Sequence, residues 1–297
     1  MKKFGLIALL LGMTSQAMAA SFAVEVVSYD AGTTPASRSY WRDVDPWDIG
    51  RTEVLDHSSV ALGKPTGFVD EPFHTFSEGS IVSPFSPAAN EDQIVSIGEG
   101  GHLTLRLENY ADVDDLNDTV EIGLFTNLGL SDVGWPNGQA GDPAGPFGPA
   151  DGVTVDVSYD GLAWTPLGSI TPNIPTNVWT DATGPYAEST VGLTEADFSE
   201  PFTGTLSDFD GKTYAEIKAL LGGSAGGYWL DLSSTGLSEV GYIRFSVADD
   251  GEAGTSLNFE LDAVSVASGH IGAVTPEPCS LGLLALAGMC LLRRRRK

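Results

Sequence analysis

The side chains best suited to chemistry in this 297-residue chain are acids and aromatics. The run Asp112-Val113-Asp114-Asp115-Leu116-Asn117-Asp118 packs Asp112, Asp114, Asp115, Asn117 and Asp118 into one short stretch. Ca²⁺ takes about six to eight oxygens at roughly 2.3–2.6 Å, and clustered loop carboxylates and amides supply such oxygens. The spacing is not that of an EF-hand, which needs Gly at its sixth position and Glu at its twelfth. The competing reading is a solvated acidic turn, as it is for Asp249-Asp250-Gly251-Glu252. Glu260 and Asp262 alternate, so on a strand both project from one face.

Exposed indole and phenol rings stack on sugar rings, and Trp41, Trp47 and Trp135 lie in polar, turn-rich sequence that favours exposure. Trp164 sits in the hairpin motif and reads as a core residue. Catalytic signatures are scarce. His57, His74, His102 and His270 show no metal-ligand spacing, and neither an H-E-x-x-H nor a phosphate-binding P-loop is present. Forty carboxylates leave a glycosidase pair open as an alternative, without a motif to favour it.

The elements that must position these residues alternate with period two. Phe22 to Val27, His102 to Glu108, Val120 to Phe125, Val153 to Tyr159, Tyr242 to Val247 and Phe259 to Val266 all read as strands. Leu103, Leu105 and Leu107 share one face. Asp160-Gly161 marks a hairpin turn, because Gly takes positive φ without penalty. A single helix is expected over Thr213 to Leu221, stopped by Gly222-Gly223. Asn137 to Gly152 and Pro172 to Pro185 are rich in Gly and Pro and read as long surface loops. These signals predict an all-β, antiparallel, jelly-roll-like sandwich over residues 20–270, with one short helix.

The two ends differ from the rest. Lys2 and Lys3, the apolar run Phe4 to Met13 and Ala17-Met18-Ala19 have the layout of a secretory signal peptide, residues 1–19, cut by signal peptidase after Ala19. At the other end, residues 271–297 hold Thr275-Pro276-Glu277-Pro278, then an apolar run, then Arg293-Arg294-Arg295-Arg296-Lys297. Ser280 to Leu292 makes about 20 Å of helix at ~1.5 Å per residue. That is short for a single transmembrane helix in a bilayer core of ~30 Å, and the terminal cations would hold it with the body outside. The order of triplet, short apolar helix and arginine cluster resembles the PEP-CTERM sorting signal. The resemblance implies that Pro276, Glu277 and Pro278 are recognised by an exosortase-like membrane protease, with Arg293, Arg294, Arg295 and Arg296 as the stop-transfer element. It also implies a destination at the cell surface or in the extracellular matrix.

Both cysteines, Cys279 and Cys290, lie in that tail, so no disulfide is available to the body. Seven of the 15 Lys and Arg and one of the 40 Asp and Glu, Glu277, lie at the two ends; the remaining 8 cations face 39 acids, a balance of −31. Such a field repels nucleic acid and anionic lipid and attracts cations, Ca²⁺ included. Three pieces also resemble a jelly-roll domain of exported bacterial surface proteins, with similarity to discoidin-like modules. They are Gly100 to Asn109, the Val155 to Leu167 hairpin with its Ser158-Tyr159-Asp160-Gly161 turn, and Tyr242 to Phe245 followed by Phe259 to Val264. Glu260 stands where the closing motif of that domain has its first Asp. The expected role is structural or adhesive and non-catalytic, in contact with extracellular polysaccharide; the alternative is a secreted polysaccharide-active enzyme or binding module.

Overall fold

A computed structural model describes residues 20–33, 57–69, 79–89, 92–113, 119–147, 152–249 and 257–275, and every structural statement below concerns these. In chain order the strands are β1 (Ser21–Asp30), β2 (Phe68–Val69), β3 (Ser80–Ile81), β4 (Val95–Gly98), β5 (His102–Asp112), β6 (Ile122–Thr126), β7 (Gly129–Leu130), β8 (Pro146–Phe147), β9 (Val153–Ser158) and β10 (Thr165–Ile170). Helix α1 (Tyr214–Leu221) precedes β11 (Tyr228–Leu230), β12 (Glu239–Ser246), β13 (Asn258–Val266) and β14 (Ile271–Val274). All the strand pairs are antiparallel.

One curled sheet runs in the order β10-β9-β12-β5-β1-β13-β6-β11, with β14 on β5 and β4 on β13. The fold in this sheet lies at β1. Ser21 and Phe22 pair with β13, whereas Ala23 to Asp30 pair with β5. The outer half (β5, β12, β9, β10) therefore lies over the inner half (β4, β13, β6, β11). Leu103, Leu105 and Leu107 of β5, Val155 of β9 and Phe245 of β12 meet Ile97 of β4, Phe259 of β13 and Leu124 of β6 in a common core. The Phe245 and Phe259 rings stack across it at 5.4 Å. The coarse expectation, an antiparallel β-sandwich with one helix, matches this arrangement.

A second core covers the far face of the inner half. Phe125 of β6 and Ala263 of β13 pack there against Ile174, Val178, Phe198, Phe209, Tyr214, Ile217 and Leu221. Phe125 makes edge contacts with Phe198 at 5.6 Å and Trp229 at 6.4 Å. Register slips between Leu261 and Ala263, so Leu261 and Val264, three apart, both face the first core. The segment 172–185, expected as a surface loop, instead supplies buried Ile174, Val178, Trp179 and Ala182. The 137–152 stretch is also more than a surface loop. It buries Ala140 and Ala144 and contributes β8, paired to β7.

Helix α1 begins as its sequence dictates. Thr213 and Glu216 form a reciprocal capping box, and Gly222 closes the helix at φ +63°. Pairing continues past residue 270, since β14 lies along β5 with Ile271 opposite Ala111 and Val274 opposite Asn109. No described helix is long and apolar enough to cross a membrane; residues 1–19 and 276–297 lie outside the described residues.

Candidate functional site

The loop from Asp132 to Gln139 displays Trp135. Its rigidity comes from one carboxylate. Asp132 Oδ1 accepts the backbone N–H groups of Gly134 and Gln139, each at 2.9 Å. Asp132 Oδ2 accepts from Gly138 N–H at 3.0 Å and from the Tyr186 hydroxyl at 3.1 Å. Burial, reinforced by the Asp132 charge, pushes the Tyr186 phenol above its usual range and keeps it a donor. Val133 N–H also donates to Gln139 O at 2.8 Å, closing the loop neck. Gly138 sits at φ +76°, and a Cβ there would meet Pro185 at 2.8 Å and Tyr214 at 3.0 Å, so the loop lies tight on the second core. Trp135 is left 61% exposed beside Val133 at 66%. An indole held open on a fixed backbone loses little entropy when a flat ligand stacks on it.

A second aromatic group lies on the solvent face of the outer half, at the β9–β10 hairpin. Asp160 shapes the turn by accepting Leu162 and Ala163 N–H at 2.9 and 3.0 Å, which holds its carboxyl below the usual range. Tyr159, 48% exposed, stacks on Tyr110 at 4.9 Å, and Leu162 is 83% exposed. The Arg244 guanidinium lies 4.4 Å over the Trp164 ring and donates to Asp156 Oδ2 at 2.9 Å. Trp164, expected in the core, is half-buried on this outer face because Arg244 projects away from the core and holds its ring.

Glu260 and Asp262 are buried rather than part of an open polar face. Asp262 accepts Thr66 N–H at 2.9 Å and the Thr66 hydroxyl at 3.0 Å. Burial raises its pKa to about 7 despite those donors. Glu260 accepts from the Asn127 side-chain amide. These contacts tie β13 to the flanking loops and are structural. Gly222-Gly223-Ser224-Ala225-Gly226 has the spacing of a nucleophile elbow, but it follows helix α1 instead of a strand. The Ser224 hydroxyl is buried and donates to the Glu200 carbonyl at 2.7 Å, so its proton is committed to the backbone and not to a catalytic base.

Of the expected site residues, Trp135 is exposed as anticipated, and Asp112 is an exposed residue ending β5. Trp41, Trp47, Asp114, Asp115, Asn117, Asp118, Pro276, Glu277, Pro278 and Arg293 to Arg296 lie outside the described residues. Among the described residues no three His, Cys, Asp or Glu side chains gather as a metal centre. Sequence reasoning passed over Asp132, Tyr159 and Arg244. The only signal for Asp132 was its place two residues before a glycine, the pattern of an Asx-turn. Compared with known proteins, the chain matches no protein-family model and no curated protein sequence.

Proposed function

We propose that this is an exported, non-catalytic protein of the cell envelope or extracellular matrix, with a jelly-roll-like body that holds neutral polysaccharide by aromatic stacking. The observation that carries the binding role is the open Trp135 indole on a loop locked by Asp132. The body's charge of −31 adds a selection rule: it disfavours polyanionic chains and leaves uncharged glycans as the partner. Export and sorting rest on the two terminal sequences. Signal peptidase removes residues 1–19, and an exosortase-like protease acts at Pro276-Glu277-Pro278. Ca²⁺ at the 112–118 loop is a separate element of the reading, resting on its oxygen-rich sequence.

The test is a glycan array probed with and without Ca²⁺, comparing the wild type with Trp135→Ala. Retention of neutral glycans that falls at least tenfold in the variant supports the reading; equal retention by both removes Trp135 from it. The sorting half is tested separately. Mass spectrometry of the envelope form should recover no peptide spanning Leu281 to Leu292, and recovery of that peptide overturns the cut.

A further inference from the structure

Trp135 shares its ribbon with a second exposed ring. Strands β7 and β8 pair Gly129 with Phe147 and Leu130 with Pro146, and Ser131 N–H donates to Gly145 O at 2.8 Å. Side chains alternate along such a ribbon, so Gly129, Ser131 and Val133 share one face with Gly145 and Phe147. Leu130, on the other face, is fully buried. The first face meets solvent: Ser131 and Val133 are exposed, and Phe147 is 41% exposed. The Phe147 ring lies over Gly129, where a Cβ would come within 2.6 Å of it, so glycine there seats the ring against the backbone. Gly145, midway along the strip, is different. Its φ lies outside the left-handed region, and a Cβ there would meet nothing nearer than Ser131 Oγ at 3.8 Å. Neither backbone nor packing calls for glycine at this position. Its effect is to keep the floor between Phe147 and Val133 low. From Gly129 to Val133 the strand climbs about 13 Å at ~3.3 Å per residue, and Trp135 lies beyond.

We infer that this ribbon is an extended strip for a run of consecutive sugars in a linear, uncharged polysaccharide, with Trp135 and Phe147 as two stacking points and Gly145 as the floor between them. The inference rests on the Trp135 reading above and adds the length and shape of the ligand. A single sugar ring cannot reach from Phe147 to Trp135, so only a chain of several sugars engages both. Each aromatic ring takes the apolar C–H face of one sugar. The exposed Ser131 hydroxyl between them both donates and accepts, which suits the hydroxyls of the sugars that bridge the gap. No residue of the shared face (Gly129, Ser131, Val133, Gly145, Phe147) is charged, in a body of −31, which matches an uncharged chain. The Asp132 lock and the Gly129 seat fix both rings before ligand arrives. Once a chain rests on one ring, stacking on the other is intramolecular and costs little further ordering.

The test is calorimetric titration of the purified full-length chain with neutral, linear glucan and mannan oligosaccharides of increasing length. Affinity should climb with length and level off once a chain spans both rings. Phe147→Ala should lower the affinity for the long oligosaccharides at least tenfold and leave that for the shortest binding ones unchanged. Gly145→Val raises a side chain from the floor, and should lose the same tenfold while keeping the wild-type melting temperature, because the space around it is open. It covers the case in which Phe147→Ala loosens the ribbon. If both variants match wild type at every length while Trp135→Ala abolishes binding, the strip is overturned and the Trp135 site stands. If Trp135→Ala binds as wild type does, or no neutral oligosaccharide binds the wild type, the polysaccharide reading falls and the strip with it. A wild type that binds no sugar but self-associates in sedimentation, and is returned to monomer by Gly145→Val, would make this face a protein interface and overturn the inference.

Discussion

The two halves of the sheet finish their far faces in opposite ways. The inner half is roofed by an irregular layer, residues 171–227, and both faces of β6 and β13 are buried. The outer half leaves part of its far face to solvent, where Arg244, with the Trp164 ring against it, pairs with Asp156. The difference shows in the side chains. Strand β9 alternates Val153, Val155 and Val157 with polar Thr154 and Asp156, whereas β6 reads Ile-Gly-Leu-Phe-Thr with every residue buried. A face that meets water can be marked by polarity; a face that meets another core is marked only by packing. Two large exposed aromatics sit on that outer face and on the loop packed against the second core, Tyr159 and Trp135.

If the roof is an integral layer, removing apolar atoms from either core should unfold the same unit. Leu105→Ala in the first core and Ile217→Ala in the second, both fully buried, should each cost about 2–5 kcal/mol. At roughly 2–4 °C per kcal/mol the melting temperature falls clearly for both, in a single calorimetric transition. A separate early transition in Ile217→Ala alone would mean that the roof folds independently and would break the comparison at its root.

Next in size is the pH response of the inner half. Asp262 has a folded pKa of about 7, above the 3.8 it has when unfolded, so between those values the folded state binds more protons. Stability is therefore highest at the acid end of that window and falls as pH rises through it, then levels off above about 7. The gap between the two values corresponds to roughly 4 kcal/mol as an upper figure. Thermal melts from pH 4 to 8 should show this fall in wild type and a flatter profile in Asp262→Asn, which keeps an acceptor for Thr66. Identical profiles would remove Asp262 as the source.

A smaller effect is expected at the loop that carries Trp135. Asp132→Ala strips the acceptor from three backbone N–H groups and from Tyr186, at a cost of about 1–3 kcal/mol. Glycan retention should fall with it although the indole remains, and amide exchange should accelerate at Gly134, Gly138 and Gln139. Unchanged exchange there would show the loop to be held by its neck alone. The smallest change belongs to the open face. Arg244→Ala should cost no more than about 1 kcal/mol, because the pair with Asp156 is partly screened by water. Its contribution should shrink in high salt; a larger, salt-independent loss would mean the Trp164 stack dominates.

What the sequence revealed divides along the same line. Val153 to Ser158 and His102 to Glu108 showed their facing through alternation, and Thr213, Glu216 and Gly222 showed the helix through its caps. Within the roof, Pro172 to Pro185 reads as a loop because Ile174, Val178 and Trp179 are spaced by irregular backbone and follow neither period. Alternation put Glu260 and Asp262 on one face but not their burial, since nothing nearby in sequence announces that Asn127 and Thr66 will cover them. Trp135 was found by its polar surroundings, but its anchor was not. The partners of Asp132 are mostly backbone N–H groups, which nearly every residue carries and no composition reveals.

Asn109 touches both ends of the body. Its backbone N–H donates to the Ser21 hydroxyl at 3.2 Å, and its side-chain amide donates to Gly272 O at 3.0 Å. The chain therefore enters and leaves the sandwich at one spot, within reach of a single side chain. A body built this way hangs as a pendant. Tension applied between its two ends would load β1 and β14 where they lie along the same edge of β5. The same closeness makes the ends joinable: a short linker from Thr275 back to Ala20 should yield a circular permutant that keeps both cores, with the new ends opened at the exposed β9–β10 hairpin.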